Sequence, residues 1–312
     1  MRIALLWTMV LVVSAGWAAE DRMNSPLPEP VGRFPFDLAR NRVVLPVRIG
    51  GAEPLDVILD TGMGFDGVYL FHRELIERIG GEEFIEVRVP GAGSGEASTA
   101  LMADSATISC GDVVFENQRV IVSTSGATQG FPTDGVIGWT LLGHHAVEID
   151  YDEERVTLHE PGGWSPDSSW ERLDLTLTKN IPWILAAVAV EDAEPVSSDV
   201  YIDLAAGEAI EILVRPEMKF PVPVGLEEKY VGTGLSGDIH GGIGRVARIR
   251  IGSFELRDVL AAFVPAEVRS KQEGADAVLG GDLLRRFNVV FDYAGGALFL
   301  KPSRHYAEPF GE

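Results

Sequence analysis

Asp134-Gly135-Val136-Ile137-Gly138-Trp139-Thr140-Leu141-Leu142 recurs in the second half of the chain as Asp276-Ala277-Val278-Leu279-Gly280-Gly281-Asp282-Leu283-Leu284. Each copy runs on to an Asp-Tyr pair, Asp150-Tyr151 or Asp292-Tyr293, and then to a turn and a strand ending at Leu158 or Leu300. Working outward, other landmarks keep nearly the same offset: Asp60 with Asp203, Gly64 with Gly207, Leu70 with Leu213, and Cys110-Gly111 with Ile251-Gly252. Random apolar strands would not hold several unlike landmarks in order at one offset. The chain is therefore read as a tandem duplication of a module of roughly 140 residues, an ordinary domain size.

Within each module, short runs rich in β-branched and aromatic residues alternate with turn residues, the pattern of an all-β fold. Arg42–Ile49 and Leu55–Leu59 flank Gly50-Gly51 as a hairpin. Strands are also expected at 107–110, 113–115 and 119–122, and in the second copy at 184–190, 200–202, 248–251, 254–256 and 261–264. One helix is expected over Phe71–Ile79, with Leu75 and Ile79 on one face and Gly80-Gly81 as its stop. Its counterpart near Pro216–Pro223 is too rich in proline to be more than a turn. The expected organisation is a signal segment at 1–19, a lead-in at 20–40, a first lobe at 41–160, a linker at 161–180, a second lobe at 181–303 and a tail at 304–312.

Composition narrows the function classes. The 312 residues include 47 Asp plus Glu against 26 Lys plus Arg, a net charge of -21. Such a surface repels a phosphate backbone and argues against nucleic acid as a partner. Arg2, the apolar run 3–13 and the small residues Ser14-Ala15-Gly16 and Ala18-Ala19 read as an export signal. An uncleaved anchor is the alternative, and no later segment is long enough to span a membrane. The expectation is a periplasmic or secreted protein. Cys110 is the single cysteine, so no intrachain disulfide exists. A buried small hydrophobe is its expected role.

Asp60-Thr61-Gly62 follows the apolar strand Val57-Ile58-Leu59. A carboxylate at the tip of a rigid strand, with a hydroxyl to tie its loop and a glycine admitting backbone amides, suits water activation by a carboxylate pair. Together with Val136-Ile137-Gly138, Val278-Leu279-Gly280 and the Leu-Leu and Asp-Tyr landmarks, this loop resembles the aspartic protease superfamily, pepsin-like or retropepsin-like. The resemblance covers most of the sequence after the signal. It implies two six-stranded-type barrel lobes related by duplication, with one catalytic Asp from each meeting in a cleft: Asp60 and, by resemblance, Asp203. Thr61, Gly62, Leu204, Ala205, Gly138 and Gly280 would support the two loops. The implied reaction is hydrolysis of a polypeptide substrate by a monomer, with no metal or organic cofactor. The resemblance also implies Gly-rich hairpin flaps, for which Gly91, Gly93 and Gly95 in the first lobe and Gly241, Gly242 and Gly244 in the second are the candidates.

The second loop departs from the pattern. Asp203-Leu204-Ala205 stands where the superfamily carries Asp-Thr-Gly or Asp-Ser-Gly. Leu204 cannot bond across to the opposite loop, a loss of ~1–3 kcal/mol if the partner amide is left buried and unpaired. Ala205 adds ~1–2 kcal/mol if its position requires a left-handed backbone. Two readings follow: a cell-envelope endopeptidase, or a peptide-binding or regulatory protein on the same fold. The His residues lack ligand spacing, Ser94, Ser98 and Ser236 lack a nucleophile-elbow setting, and Asp134 and Asp276 are expected to make structural hydrogen bonds.

Overall fold

Period-2 burial builds the first lobe. Along Arg42–Ile49 the side chains of Val43, Leu45, Val47 and Ile49 all point into the core. Six strands close into a ring: Arg42–Ile49, Leu55–Leu59, Gly135–Ile137, Val68–Leu70, Val113–Ser123 and Ser98–Cys110, the last pairing back to the first through Val47↔Cys110. The second lobe repeats the ring with Ile181–Ala189, Val196–Ile202, Ala277–Leu279, Ile210–Val214, Phe254–Pro265 and Gly237–Ile251, closed by Ala187↔Arg250. Each ring carries two further strands: Asp37–Ala39 and Ile85–Val89 in the first lobe, Thr176–Thr178 and Glu228–Gly234 in the second. These are the two duplicated barrels that the sequence implies.

These statements rest on a computed structural model that describes residues 28–79, 83–191, 193–269 and 272–311. The expected signal segment 1–19 lies outside the described residues. No helix among the described residues is long and apolar enough to cross a membrane.

A third sheet, of six strands, joins the lobes: Gly32–Pro35, Arg155–His159, Ala146–Asp150, Phe287–Asp292, Ala297–Pro302 and Glu171–Asp174. Its seam is the antiparallel pairing of Val147 with Phe291 and Ile149 with Val289. Three segments read as accessory in the sequence thus carry structure. The lead-in contributes Gly32–Pro35 and Asp37–Ala39, and the stretch 161–180 contributes Glu171–Asp174 and Thr176–Thr178. The tail folds onto fully buried Arg286, which donates to the carbonyls of His305 (3.2 Å), Glu308 and Pro309 (3.3 Å) beneath the Phe310 ring.

The expected helix is shorter than its pattern, spanning Leu75–Ile79. The Phe71 amide continues the preceding strand by donating to the Asp134 carbonyl at 2.8 Å, so helical geometry starts later. Strands expected separately at 113–115 and 119–122 form one strand, Val113–Ser123, which passes Asn117 at φ 57°.

The duplication reaches individual hydrogen bonds. Asp134 N and Asp276 N donate to Asp56 O and Asp199 O, both at 2.8 Å. Their side chains accept from Asp56 N (2.8 Å) and Asp199 N (3.1 Å) in return. Strands Leu55–Leu59 and Val196–Ile202 lie parallel to Gly135–Ile137 and Ala277–Leu279, which fixes the direction in which each Asp-bearing loop emerges. A methyl group on Gly138 would stand 2.2 Å from Asp60 O, and one on Gly280 2.2 Å from Glu208 O. Both positions need glycine for close approach of backbone. Gly138→Ala is therefore expected to destabilise the protein by about 1–3 kcal/mol, the usual cost of overpacking, read as a lower urea midpoint at unchanged slope.

Candidate active site

The strand ends position the two acids identically. Asp60 N donates to Ile137 O at 2.8 Å and Asp203 N to Leu279 O at 3.0 Å. Next, Gly62 N donates to Asp60 Oδ1 at 2.6 Å, and Ala205 N to Asp203 Oδ1 at 3.0 Å. The two loops face each other: a methyl group on Gly62 would stand 2.9 Å from Asp60 Oδ1 and 3.6 Å from Asp203 Oδ1. The carboxylates named from the sequence thus both border the space beside Gly62 that a side chain there would fill. Gly62 is needed there for space, since neither it nor Ala205 has positive φ. The strain anticipated at Ala205 does not arise.

The cross-lobe tie is carried by one hydroxyl. Thr61 Oγ1 donates to Ile202 O at 2.7 Å and accepts from Leu204 N at 3.0 Å. Leu204, 1% exposed, joins the hydrophobic core instead of returning such bonds. Other residues add ties that the sequence reading did not anticipate. Asn41 Nδ2 donates to Gly207 O at 3.0 Å, and Asn180 Nδ2 to Gly64 O at 2.8 Å. Both asparagines sit in tight hairpin turns with positive φ at two successive residues, Arg40-Asn41 and Lys179-Asn180. Arg42 Nε adds a bond to Ala205 O at 2.6 Å.

A third charged group stands at the dyad. Arg269, at the end of the 3-10 turn Ala266–Arg269, donates from Nη1 to Asp203 Oδ2 at 2.9 Å. Its Nε and Nη2 grip both oxygens of Glu211 at 3.0 and 2.7 Å. Asp203 Oδ1 also accepts from Ala206 N at 3.2 Å, so both its oxygens are engaged. Burial, then the neighbouring Asp203 charge, push the Asp60 carboxyl up to about 8, against the smaller opposing pull of the Gly62 amide and Arg269. Burial and the Glu211 charge likewise raise the Glu208 carboxyl, with Arg42 and Arg269 opposing.

Above the acids lies a cavity of about 1170 Å³ lined by both lobes. Its roof is two hairpins joined tip to tip. The first lobe's hairpin turns between Val89 and Ser98, the second's at Leu235-Ser236. Ser236 N donates to Ala92 O at 2.8 Å and Gly95 N to Ser236 O at 2.6 Å, while Gly93 N reaches Val268 O at 3.0 Å. Gly91 N donates to Ser236 Oγ (3.2 Å), Ser94 Oγ to Asp238 O (3.0 Å) and Ser98 Oγ to Leu235 O. Gly91, Gly93 and Gly95 thus lie in the tip, whereas Gly241, Gly242 and Gly244 lie in the strand Gly237–Ile251. There, a methyl group on Gly241 would stand 2.4 Å from Phe263 O, so these glycines serve close packing of the hairpin arm.

Residues 45–141 match the aspartyl protease family, a match lying within the first lobe. Among solved structures, the fold matches an aspartic proteinase from Irpex lacteus with a TM-score of 0.54 over 89% of this chain and 98% of that one. Sequence identity between the two is 15%. No curated protein matches the sequence. The first lobe thus carries the aspartyl protease family signature, and the whole chain has the two-lobed fold of an aspartic proteinase. In this fold the two acids lie on the floor of the inter-lobe cleft, and the two hairpins cover it.

Residues set aside in the sequence take structural places in this aspartic protease fold. Cys110 is buried, and burial pushes its thiol up to about 12, which leaves it inert as a nucleophile. Asp276 is held by Arg215 and Lys219, both at 2.6 Å. Ser94, Ser98 and Ser236, unsuited to serine hydrolysis, hold the hairpin tips together.

Two outcomes follow. Thr61→Val keeps the shape but leaves Ile202 O and Leu204 N unpaired, at about 1–3 kcal/mol for each buried group; urea unfolding should show a loss of about 2–6 kcal/mol. Asp60 titrates near its ordinary 3.8 when unfolded and about 8 when folded. The native state therefore holds the proton more tightly, and the Asp60 contribution to stability declines as pH rises from about 4 to about 8. Asp60→Asn removes that penalty, so its urea midpoint should gain on the wild type across this window and hold a constant lead above it.

Proposed function

We propose that this chain is an aspartic endopeptidase in which Asp60 and Asp203 activate one water between them. The observation that carries the reading is that both Oδ1 atoms border the space beside Gly62 at the floor of a two-lobed cavity. Two carboxylates so placed do not both ionise readily. Burial and the Asp203 charge favour the proton on Asp60, and Arg269 Nη1 stands 2.9 Å from Asp203 Oδ2. Asp203 then acts as the base: it takes a proton from water, whose oxygen adds to the peptide carbonyl carbon. Asp60 donates to the carbonyl oxygen as negative charge develops there. As the tetrahedral diol collapses and the C–N bond breaks, the nitrogen takes the proton that Asp203 received from water, one diol hydroxyl returns its proton to Asp60, and a carboxylic acid and an amine leave.

The cavity suits an extended polypeptide. Phe71, Phe131, Val136 and Met63 line it from the first lobe, and Ile181, Tyr201 and Ile239 from the second. Both acids come from one chain, so a monomer suffices. Placement in the cell envelope rests on the N-terminal signal pattern alone. The net charge of -21 supports a substrate other than nucleic acid.

Leu204 and the Arg269–Asp203 pair favour a second reading, in which the cleft binds peptides without cutting them. A positive partner weakens Asp203 as a base, and the missing hydroxyl weakens the loop mounting. Cleavage of an unstructured protein across pH 3–9 separates the two. The endopeptidase should cut, be inhibited by a pepstatin-type statine peptide, and lose activity as pH rises through about 8 and Asp60 gives up its proton. Asp60→Asn and Asp203→Asn should each lower kcat/KM by about 10²–10⁴-fold. A folded wild type that cuts nothing at any pH, yet binds peptides, would leave the binding reading standing; loss with Asp60→Asn alone would sink the two-lobed dyad.

A further inference from the structure

Arg269 has no counterpart in the first lobe. The 3-10 turn Gly126–Thr128 follows Val113–Ser123 as Ala266–Arg269 follows Phe254–Pro265, but it carries no charge. The guanidinium is held from several sides. Glu211, whose side chain is 3% exposed, takes two of its nitrogens, and the carbonyl of adjacent Val268 accepts from Gly93 in the opposite lobe's hairpin tip. Its third contact is the Asp203 oxygen not occupied by backbone amides.

We infer that Arg269, clamped by Glu211, is a positioning residue that designates Asp203 as the ionised member of the dyad and sets the pH range of the reaction. The inference rests on the Asp60–Asp203 dyad proposed above. A fork with two nitrogens on Glu211 has its remaining terminal nitrogen aimed in a fixed direction, which lysine cannot reproduce. A positive charge 2.9 Å from Asp203 Oδ2 opposes protonation of that carboxylate, so the single proton of the pair is kept on Asp60. The charged and titratable groups facing this cluster are Asp60 from the opposite loop, Tyr201 from strand Val196–Ile202, and Glu211 with neighbouring Glu208, itself beside Arg42. Tyr293 faces Asp60 from the shared sheet. Arg269 is the group among them that contacts Asp203 with a positive charge. Arg42 spends its Nε on a backbone carbonyl.

The test uses the full-length protein with three changes: Arg269→Lys, Arg269→Gln, and the double Arg269→Gln/Glu211→Gln, which leaves no buried Glu211 charge unpaired and so guards against misfolding. Two quantities are read. The first is the pH profile of peptide cleavage, with kcat and KM separated. The second, independent of activity, is the titration of aspartate side-chain carboxyl carbons by NMR, with Asp60→Asn and Asp203→Asn as assignment controls. Removing the charge should move the Asp203 titration and the acid limb of the profile upward together, with kcat rather than KM affected at pH 5. Arg269→Lys should fall between the wild type and the double variant. A profile that keeps its shape and merely scales down, with the Asp203 titration unmoved, would overturn the inference and leave Arg269 a structural residue. If the wild type cleaves nothing, the dyad reading fails, and the NMR titration still decides whether Arg269 controls Asp203.

Discussion

Two carboxylates brought to the space beside one glycine repel each other, and the rest of the site answers that repulsion. Left to relax, the loops would part or both acids would take up protons. Parting is resisted by placing each acid at the end of a central strand, with its amide bonded to a parallel neighbour. Double protonation is resisted by unequal surroundings. Asp60 has backbone amides and the distant influence of Arg269, whereas Asp203 has two amides and a guanidinium in direct contact. The two acids therefore differ in their neighbours: Asp60 has no cation in contact among the described residues, and Asp203 has Arg269 against one oxygen.

The lost hydroxyl at Leu204 shows how much redundancy the mounting has. A single donor and acceptor on Thr61 serves both the carbonyl before Asp203 and the amide after it. Leu204 returns apolar burial, which strengthens the second lobe's core without crossing to the first. Around the two Asp loops, further inter-lobe bonds come from Asn41, Asn180 and Arg42, each donating to a backbone carbonyl in the opposite lobe's loop. Side chains on rigid hairpin turns can substitute for a hydroxyl inside the loop because the requirement is a fixed distance between strands, whichever residue supplies it.

How much was legible in the sequence follows from what a repeat can reveal. Landmarks present in both halves, Asp60 with Asp203, Gly138 with Gly280, and Asp134 with Asp276, stood out because each copy corroborates the other. They mark the strand pairs and close backbone approaches that both barrels need. The second hairpin tip is not marked by the glycines that suggest it in the sequence. Glycines at 241, 242 and 244 answer to packing against Phe263 and Leu226, while the tip itself turns at Leu235-Ser236. The lead-in and the stretch 161–180 read as connectors because their strands are short, and their pairing partners lie far away in the chain.

Arg269 was invisible for the opposite reason. Comparing two halves rewards what they share, and the group that distinguishes the two acids is by necessity unshared. A symmetric scaffold gives two equivalent carboxylates, and chemistry on a single water asks for inequivalent ones. In this chain the asymmetry comes from outside the Asp loops, through one turn that carries an arginine in one copy and only uncharged residues in the other. The changes at Leu204 and Ala205 alter how the second loop is mounted, and Arg269 places a positive charge against its carboxylate. Divergence in the second lobe therefore reads as a redistribution of roles: Thr61 ties both loops, burial raises the Asp60 carboxyl, and Asp203 takes the arginine.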